Sequence, residues 1–226
     1  MVKKLVIIGD SFCHGGGTTT PFKDKENTHY AFGKYLADHL KLEYVNLAEP
    51  GISVLKTVEL GYDYLEKHAN EVELVIAGWT HTTRIGFYSE NSMLQVLPNY
   101  VLLGNSADTD VCVKHDNNIK FLTDKNNQHY LDTLPVLHKM FIENDFFDSQ
   151  TKVSETVAAG MKAYFAINKI NYIDFNVFKD STIVTRCPPT FNDVMIPSKH
   201  PTKEEQKQFA DLFINFLDTY VDLPSN

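Results

Sequence analysis

Short apolar runs alternate with longer segments of helical periodicity along the first 80 residues. The run Leu5–Ile8 is typical of a parallel strand that is buried on both faces. In the segment that follows, apolar residues recur three to four positions apart, which predicts an amphipathic helix. Continued along the chain, the alternation predicts strands at 3–8, 43–47 and 72–77 and helices at 27–42 and 53–69. This order indicates right-handed crossovers and a parallel sheet.

The second part of the chain begins with a long segment that fits no simple period. Residues 85–127 are polar and aromatic, which predicts an insertion that serves as a lid or a partner surface. Thr202 followed by Glu205 is a capping-box signature for the last helix. Apolar spacing favours helices at 128–147, 154–170 and 202–221, and strands at 171–175 and 181–185.

We therefore expect one domain over residues 1–226. Its predicted fold is a three-layer α/β/α sandwich with a flavodoxin-like, mostly parallel sheet and an insertion at about residues 85–150.

Composition and charge narrow the classes of function. A formal charge of -8 argues against binding to nucleic acid or to an anionic membrane, since both favour a basic face. No apolar run approaches the roughly 18 residues of a membrane span, and the run after Lys4 is shorter than the ~7 residues of a signal core. Three cysteines without paired spacing, Cys13, Cys112 and Cys187, are typical of free thiols. The expected location is cytoplasmic.

A serine and a histidine stand at the ends of predicted elements. Ser11 follows the first strand in Gly9-Asp10-Ser11, at the sheet edge where open α/β folds keep their chemistry. His200 lies directly before the last helix. A serine hydroxyl needs a base to become nucleophilic, and catalytic groups that are distant in sequence can meet in space. The sequence predicts Ser11 as a nucleophile and His200 as its base.

The other strand ends supply candidates for binding an oxyanion. Gly51 follows the second strand and can present a bare backbone N–H, and Thr80 follows the third strand and offers a hydroxyl. With the backbone N–H of Ser11, these groups are expected to hold a developing oxyanion. Candidate substrate contacts are Trp79, His81, Arg84 and His14, which precedes three glycines. Core packing for Trp79 and a surface carboxylate for Arg84 are open alternatives.

In chain order, these motifs resemble the SGNH (GDSL) hydrolases, a family of serine esterases, lipases and carbohydrate deacetylases. Gly9-Asp10-Ser11 resembles the nucleophile block, Asn46 to Gly51 the block of the oxyanion glycine, and His200-Pro201 the histidine block. Gly78 to His81 occupies the place of Gly-x-Asn-Asp. The resemblance spans residues 5 to about 210. It implies hydrolysis of a small-molecule or carbohydrate ester, such as an O-acetyl group, with no cofactor or metal.

Two departures from the family pattern leave alternatives open. Thr80 stands where the family has an oxyanion asparagine, and Pro197 stands where it has an aspartate three residues before the histidine. Asp193 is the candidate orienting acid in its place. A dyad without an acid is expected to be slow. The alternatives are a degenerate domain that binds carbohydrate or serves in assembly, and a metallophosphoesterase, although the Asp-x-His and Gly-Asn-His blocks of the latter are missing.

Overall fold

The structure is a computed structural model that describes residues 2–19, 25–89, 92–97, 100–105, 110–114, 146–177, 182–185 and 200–220. Side chains are described in these ranges except at 85–114 and at Tyr220. The strands are β1 (Lys4–Ile8), β2 (Glu43–Asn46), β3 (Val72–Trp79), β4 (Ile85–Ser89), β5 (Ser92–Leu97), β6 (Tyr100–Asn105), β7 (Asp110–Lys114) and β8 (Asn171–Asn176). The α-helices are α1 (Ser11–His14), α2 (Phe32–Leu40), α3 (Val54–His68), α4 (Phe146–Ile167) and α5 (Lys203–Tyr220). Two 3-10 helices lie at Lys25–Tyr30 and Ala69–Glu71.

Four strands form a parallel sheet in the order β2-β1-β3-β8. Counting only the strands of this sheet, the order is 2-1-3-4, which is that of a flavodoxin-like fold. The pairing of the central strands β1 and β3 shifts by one residue after Lys4 and then stays in register from Leu5 opposite Leu74 to Ile8 opposite Ala77. The ends of β1 and β3 therefore lie side by side.

Side chains of β1 alternate between two hydrophobic clusters, one on each face of the sheet. Leu5 and Ile7 belong to the cluster that includes residues of α2 and α5, such as Phe32 and Phe213. Val6 and Ile8 point to the opposite face and belong to a second cluster, which includes residues of α3 and α4. The side chains of Leu5, Val6, Ile7 and Ile8 are fully buried, and each such burial is worth roughly 1.5–3 kcal/mol. The sheet is covered by helices on both faces, so the predicted three-layer α/β/α class is confirmed.

The predicted insertion contains a second sheet. Strands β4 to β7 form an antiparallel meander in the order β4-β5-β6-β7. The sequence predicted only an insertion here and assigned no strands to it. Residues 128–145 of the predicted helix at 128–147 lie outside the described residues.

Helix starts follow the capping signals. The Ser53 side chain accepts from the Lys56 N–H at 3.3 Å. At α5 the capping box is confirmed, because the Thr202 N–H donates to Glu205 at 2.7 Å and the Glu205 N–H donates to Thr202 Oγ1 at 3.3 Å. Helix α4 is described from Phe146 onward, so it already exists well before the predicted start at Ser154.

Two predicted elements were wrong. The helix predicted at 27–42 is divided into the 3-10 helix Lys25–Tyr30 and α2, because Ala31 between them is extended (φ -71°, ψ 148°). The fifth strand predicted at 181–185 is not formed by the described residues 182–185. There the Asn176 side-chain amide donates to the Ile183 carbonyl at 2.7 Å, a side-chain contact where a strand would have a backbone ladder.

Candidate active site

The site lies where the strand order of the sheet reverses. In the order β2-β1-β3-β8, the chain departs in opposite directions from β1 and β3, and ligands bind at such switch points outside the carboxyl ends of the strands. Gly9-Asp10-Ser11 leaves the end of β1, and Thr80 follows the end of β3. The fold thus brings two of the sequence motifs to the same edge of the sheet.

Ser11 is the first residue of α1, a single helical turn capped by Asp10. The Asp10 carboxylate accepts from the Phe12 N–H at 3.0 Å, which fixes the turn. Ser11 Oγ lies 2.8 Å from His200 Nε2. His200 is held just before Thr202, the residue that caps α5. The two residues singled out at opposite ends of the sequence are therefore within hydrogen-bond distance.

The environment of His200 favours a neutral imidazole. Desolvation is the largest influence and lowers the pKa of His200 below its ordinary value of 6.5, although part of the residue remains exposed. The nearby Arg84 cation lowers this pKa further, and the Asp10 carboxylate opposes both effects. A neutral ring can accept a proton from Ser11, as a general base must.

Gly17, the last of the three glycines after His14, lies against His200. Gly17 has a φ of 90°, and a Cβ added there would lie 2.8 Å from the Cβ of His200. The loop is held from below by the buried Asn27, whose Oδ1 accepts from Thr18 Oγ1 at 2.9 Å and from the Thr19 N–H at 2.6 Å. Asn27 was not among the site residues predicted from the sequence.

A buried charge network lies beneath Ser11. Asp10 is fully buried and accepts from Thr80 Oγ1 at 3.0 Å. Arg84 Nη1 lies 3.8 Å from Asp10 and donates to the Ile52 carbonyl at 3.2 Å. The network joins the ends of β1 and β3 to the segment after β2. The sequence predicted that the Thr80 hydroxyl contacts an oxyanion and that Arg84 contacts a substrate. In the structure both side chains face Asp10.

Trp79 and His14 are buried, whereas His81 is half-buried. Trp79 is 0% exposed, and its Nε1–H donates to Asp174 Oδ2 at 3.0 Å. Core packing, the open alternative for Trp79, is what the structure shows. His14 is 7% exposed at the end of α1, and His81 lies in the turn after β3, where its carbonyl accepts from the Arg84 N–H at 3.1 Å.

Cys13 fills the space between two glycines of the site. A Cβ on Gly9 would lie 2.5 Å from the Cys13 sulfur, and one on Gly78 would overlap it. Burial raises the pKa of the Cys13 thiol well above its ordinary value. The buried thiol of Cys13 therefore packs against both strand ends, and the space that it occupies explains the glycines at positions 9 and 78.

Sequence reasoning missed Gln206. It is fully buried on α5 and contacts the backbone of Phe12, next to Ser11. A signal was present, because Gln206 shares a helical stripe with apolar residues at 209, 213 and 217. A polar residue on such a stripe indicates a buried hydrogen bond.

The structure leaves some of the predicted site residues without a described position or role. Asp193 and Pro197 lie outside the described residues. Gly51 has a φ of 82°, a conformation that favours glycine.

Within the described ranges, no group of three or more His, Cys, Asp or Glu side chains is arranged to hold a metal ion. Of the helices in those ranges, none is long and apolar enough to cross a membrane.

Comparisons with known proteins gave structural similarities only. No family model and no curated protein matches the sequence. A carbohydrate esterase with divergent catalytic and non-catalytic binding functions is 16% identical, with 98% of this chain and 70% of the other covered and a TM-score of 0.37. A protein of Desulfitobacterium hafniense assigned to the G-D-S-L lipolytic family is 15% identical, with 94% of this chain and 98% of the other covered and a TM-score of 0.36. An acetyl xylan esterase of Butyrivibrio proteoclasticus is 12% identical, with 95% of this chain and 63% of the other covered and a TM-score of 0.39.

At these TM-scores the fold class rests on the strand order and the two helical layers of the chain itself. That architecture, with Ser11 at the end of β1 and His200 before the last helix, is the one implied by the resemblance to the SGNH hydrolases.

Proposed function

We propose that the protein is a serine hydrolase that cleaves a small acyl ester, such as an O-acetyl group on a small molecule or carbohydrate. Ser11 is the nucleophile and His200 the general base. The observation that supports this most directly is the 2.8 Å separation of Ser11 Oγ and His200 Nε2, which are 189 residues apart in sequence. A serine that only capped a turn would need no imidazole at its hydroxyl.

In the first half of the reaction, Ser11 Oγ attacks the carbonyl carbon of the ester while His200 Nε2 takes the hydroxyl proton. The carbonyl oxygen becomes an oxyanion. When the tetrahedral intermediate collapses, the C–O bond to the alcohol breaks and His200 returns its proton to the departing alkoxide. The acyl group remains as an ester on Ser11.

In the second half, water attacks the acyl carbon and gives its proton to His200. Collapse of this intermediate breaks the bond to Ser11 Oγ, which recovers a proton from His200. The carboxylic acid leaves. Both halves use only the two side chains and water, so no cofactor is required.

The oxyanion is assigned to the backbone N–H groups of Ser11 and Gly51. Ser11 is the first residue of α1, and N–H groups in the first turn of a helix have no partner within the helix. Gly51 follows β2 with a left-handed backbone and without a side chain in the way of a ligand. Thr80 is assigned to Asp10 instead, since its single hydroxyl proton is donated there.

The experiment is labelling with a fluorophosphonate, which reacts only with an activated serine. We expect mass spectrometry to place the label on Ser11, and we expect Ser11→Ala and His200→Ala to abolish both labelling and hydrolysis of p-nitrophenyl acetate. Ser149→Ala is the control, because Ser149 is exposed on α4. An unlabelled wild-type protein, or hydrolysis that survives Ser11→Ala, would refute the proposal and favour a binding module.

A further inference from the structure

Gln206 is a buried amide on the face of α5 that packs against the sheet. It is 0% exposed, and the other buried side chains of this face include Phe209 and Phe213. A polar side chain in such surroundings is costly unless its donor and acceptor both find partners. Both atoms of the Gln206 amide do so.

The amide joins three elements. Gln206 Nε2 donates to the Phe12 carbonyl at 3.1 Å, and Phe12 directly follows Ser11. Gln206 Oε1 accepts from the Phe32 N–H at 2.8 Å, at the first residue of α2. That N–H needs an outside partner, because Ala31 provides no side-chain cap. On its own helix, the Gln206 N–H donates to the Thr202 carbonyl at 2.9 Å, two residues after His200.

At neutral pH, where a glutamate is ionised, a primary amide is the uncharged side chain of this length that supplies both a donor and an acceptor. Glutamate accepts but cannot donate when ionised, and methionine does neither to a useful degree. The requirement for glutamine at position 206 therefore comes from the backbone of the Ser11 turn as well as from α2.

We propose that Gln206 is a positioning residue that sets the separation between Ser11 and His200. It ties the turn that carries Ser11 to the helix that begins just after His200. The expected effect on catalysis rests on the proposed function. The expected effect on the distance between the Ser11 and His200 side chains does not.

The first test is kinetic. Gln206→Met keeps the volume and removes both hydrogen bonds, so we expect kcat for p-nitrophenyl acetate to fall about tenfold to a hundredfold, since a displacement of about 1 Å can cost that much. KM should change little, because Gln206 is buried away from any substrate. Compared with the wild type at the same pH, Gln206→Glu should regain activity as pH falls, because a protonated carboxyl group donates and accepts as the amide does.

The second test does not depend on activity. We would follow the imidazole of His200 by NMR titration, with its signal assigned by its loss in His200→Gln. In Gln206→Met the pKa of His200 should rise towards 6.5 as the displaced ring becomes better solvated, while Asp10 and Arg84 stay unchanged. An unchanged His200 pKa and an unchanged kcat in Gln206→Met would overturn the inference.

Thr57→Val is the matched control. Thr57 is buried in α3 on the other side of the sheet, and its hydroxyl donates to the Ser53 carbonyl at 3.0 Å. We expect this variant to lose stability but to keep the wild-type kcat and His200 pKa. Equal losses of kcat in both variants would mean that Gln206 acts only through stability. The two proposals can fail separately. If the wild-type protein is not labelled on Ser11, but the pKa of His200 differs between the wild type and Gln206→Met, the proposed function is refuted and the inference is supported.

Discussion

The rings of Phe12 and Phe209 meet edge to face, with centroids 4.9 Å apart and an interplanar angle of 78°. Phe12 follows Ser11 near the start of the chain, and Phe209 lies on α5, the helix that begins just after His200. Both rings also contact Phe32 and Phe175. The serine and the histidine are therefore placed by a shared aromatic cluster beneath them as well as by their own turns.

We predict that Phe209→Ala lowers the free energy of unfolding by about 3–5 kcal/mol, as expected for removal of a buried aromatic ring. Combined with Phe12→Ala, it should show a coupling of about 0.5–1.5 kcal/mol in urea denaturation. Leu55→Ala, at a position that is 52% exposed, should change stability by less than about 0.5 kcal/mol. Strict additivity of the two phenylalanine variants would contradict the edge-to-face contact.

The parallel sheet and the Ser11–His200 approach follow from local signals. The β1 run is short and wholly apolar, the Ser53 and Thr202 caps mark helix starts, and each motif stands at a strand end or helix start. Such signals depend on few neighbouring residues. They were sufficient for the layer order and for the placing of Ser11 and His200.

Partners that are distant in sequence were not predictable in the same way. Thr80 and Arg84 both contact Asp10, but no neighbouring residue in the sequence predicts this. The contacts form because β1 and β3 are adjacent strands. Trp79 likewise finds Asp174 only through the pairing of β3 with β8. Side-chain partners of this kind depend on tertiary structure, which periodicity does not encode.

The second prediction concerns pH. Because the pKa of His200 is lowered, the neutral base persists below the ordinary histidine value of 6.5, and the acid limb of kcat/KM should lie below that pH. Arg84→Gln removes a cation that lowers this pKa, so protonation becomes easier and the acid limb should move to higher pH. Arg84→Lys keeps the charge and should move the limb less. A shift of the Arg84→Gln limb to lower pH would contradict this account.

The third prediction compares two glycines. Gly17→Ala introduces a Cβ 2.8 Å from the Cβ of His200, at a φ of 90° that alanine rarely adopts, so His200 must move. We expect kcat for p-nitrophenyl acetate to fall about a hundredfold. Gly160→Ala is the control, because a Cβ there meets nothing within 4 Å in α4. It should keep wild-type activity and add up to about 1 kcal/mol of stability, since alanine favours a helix over glycine. Equal activity of the two variants would show that His200 does not depend on the Gly17 backbone.

The last prediction concerns the thiol of Cys13 between the ends of β1 and β3. Gly78→Ala places a methyl group onto the Cys13 sulfur and 2.9 Å from the ring of Phe175. Overpacking of this kind costs about 1–3 kcal/mol, and urea denaturation should show that loss in Gly78→Ala. Adding Cys13→Ala removes the sulfur and should restore part of the stability, although the contact with Phe175 remains. If the double variant were less stable than the sum of the single changes, the sulfur would not be the group that limits residue 78 to glycine. The same cycle can be followed through labelling of Ser11, because Cys13 lies in the helical turn that begins at Ser11.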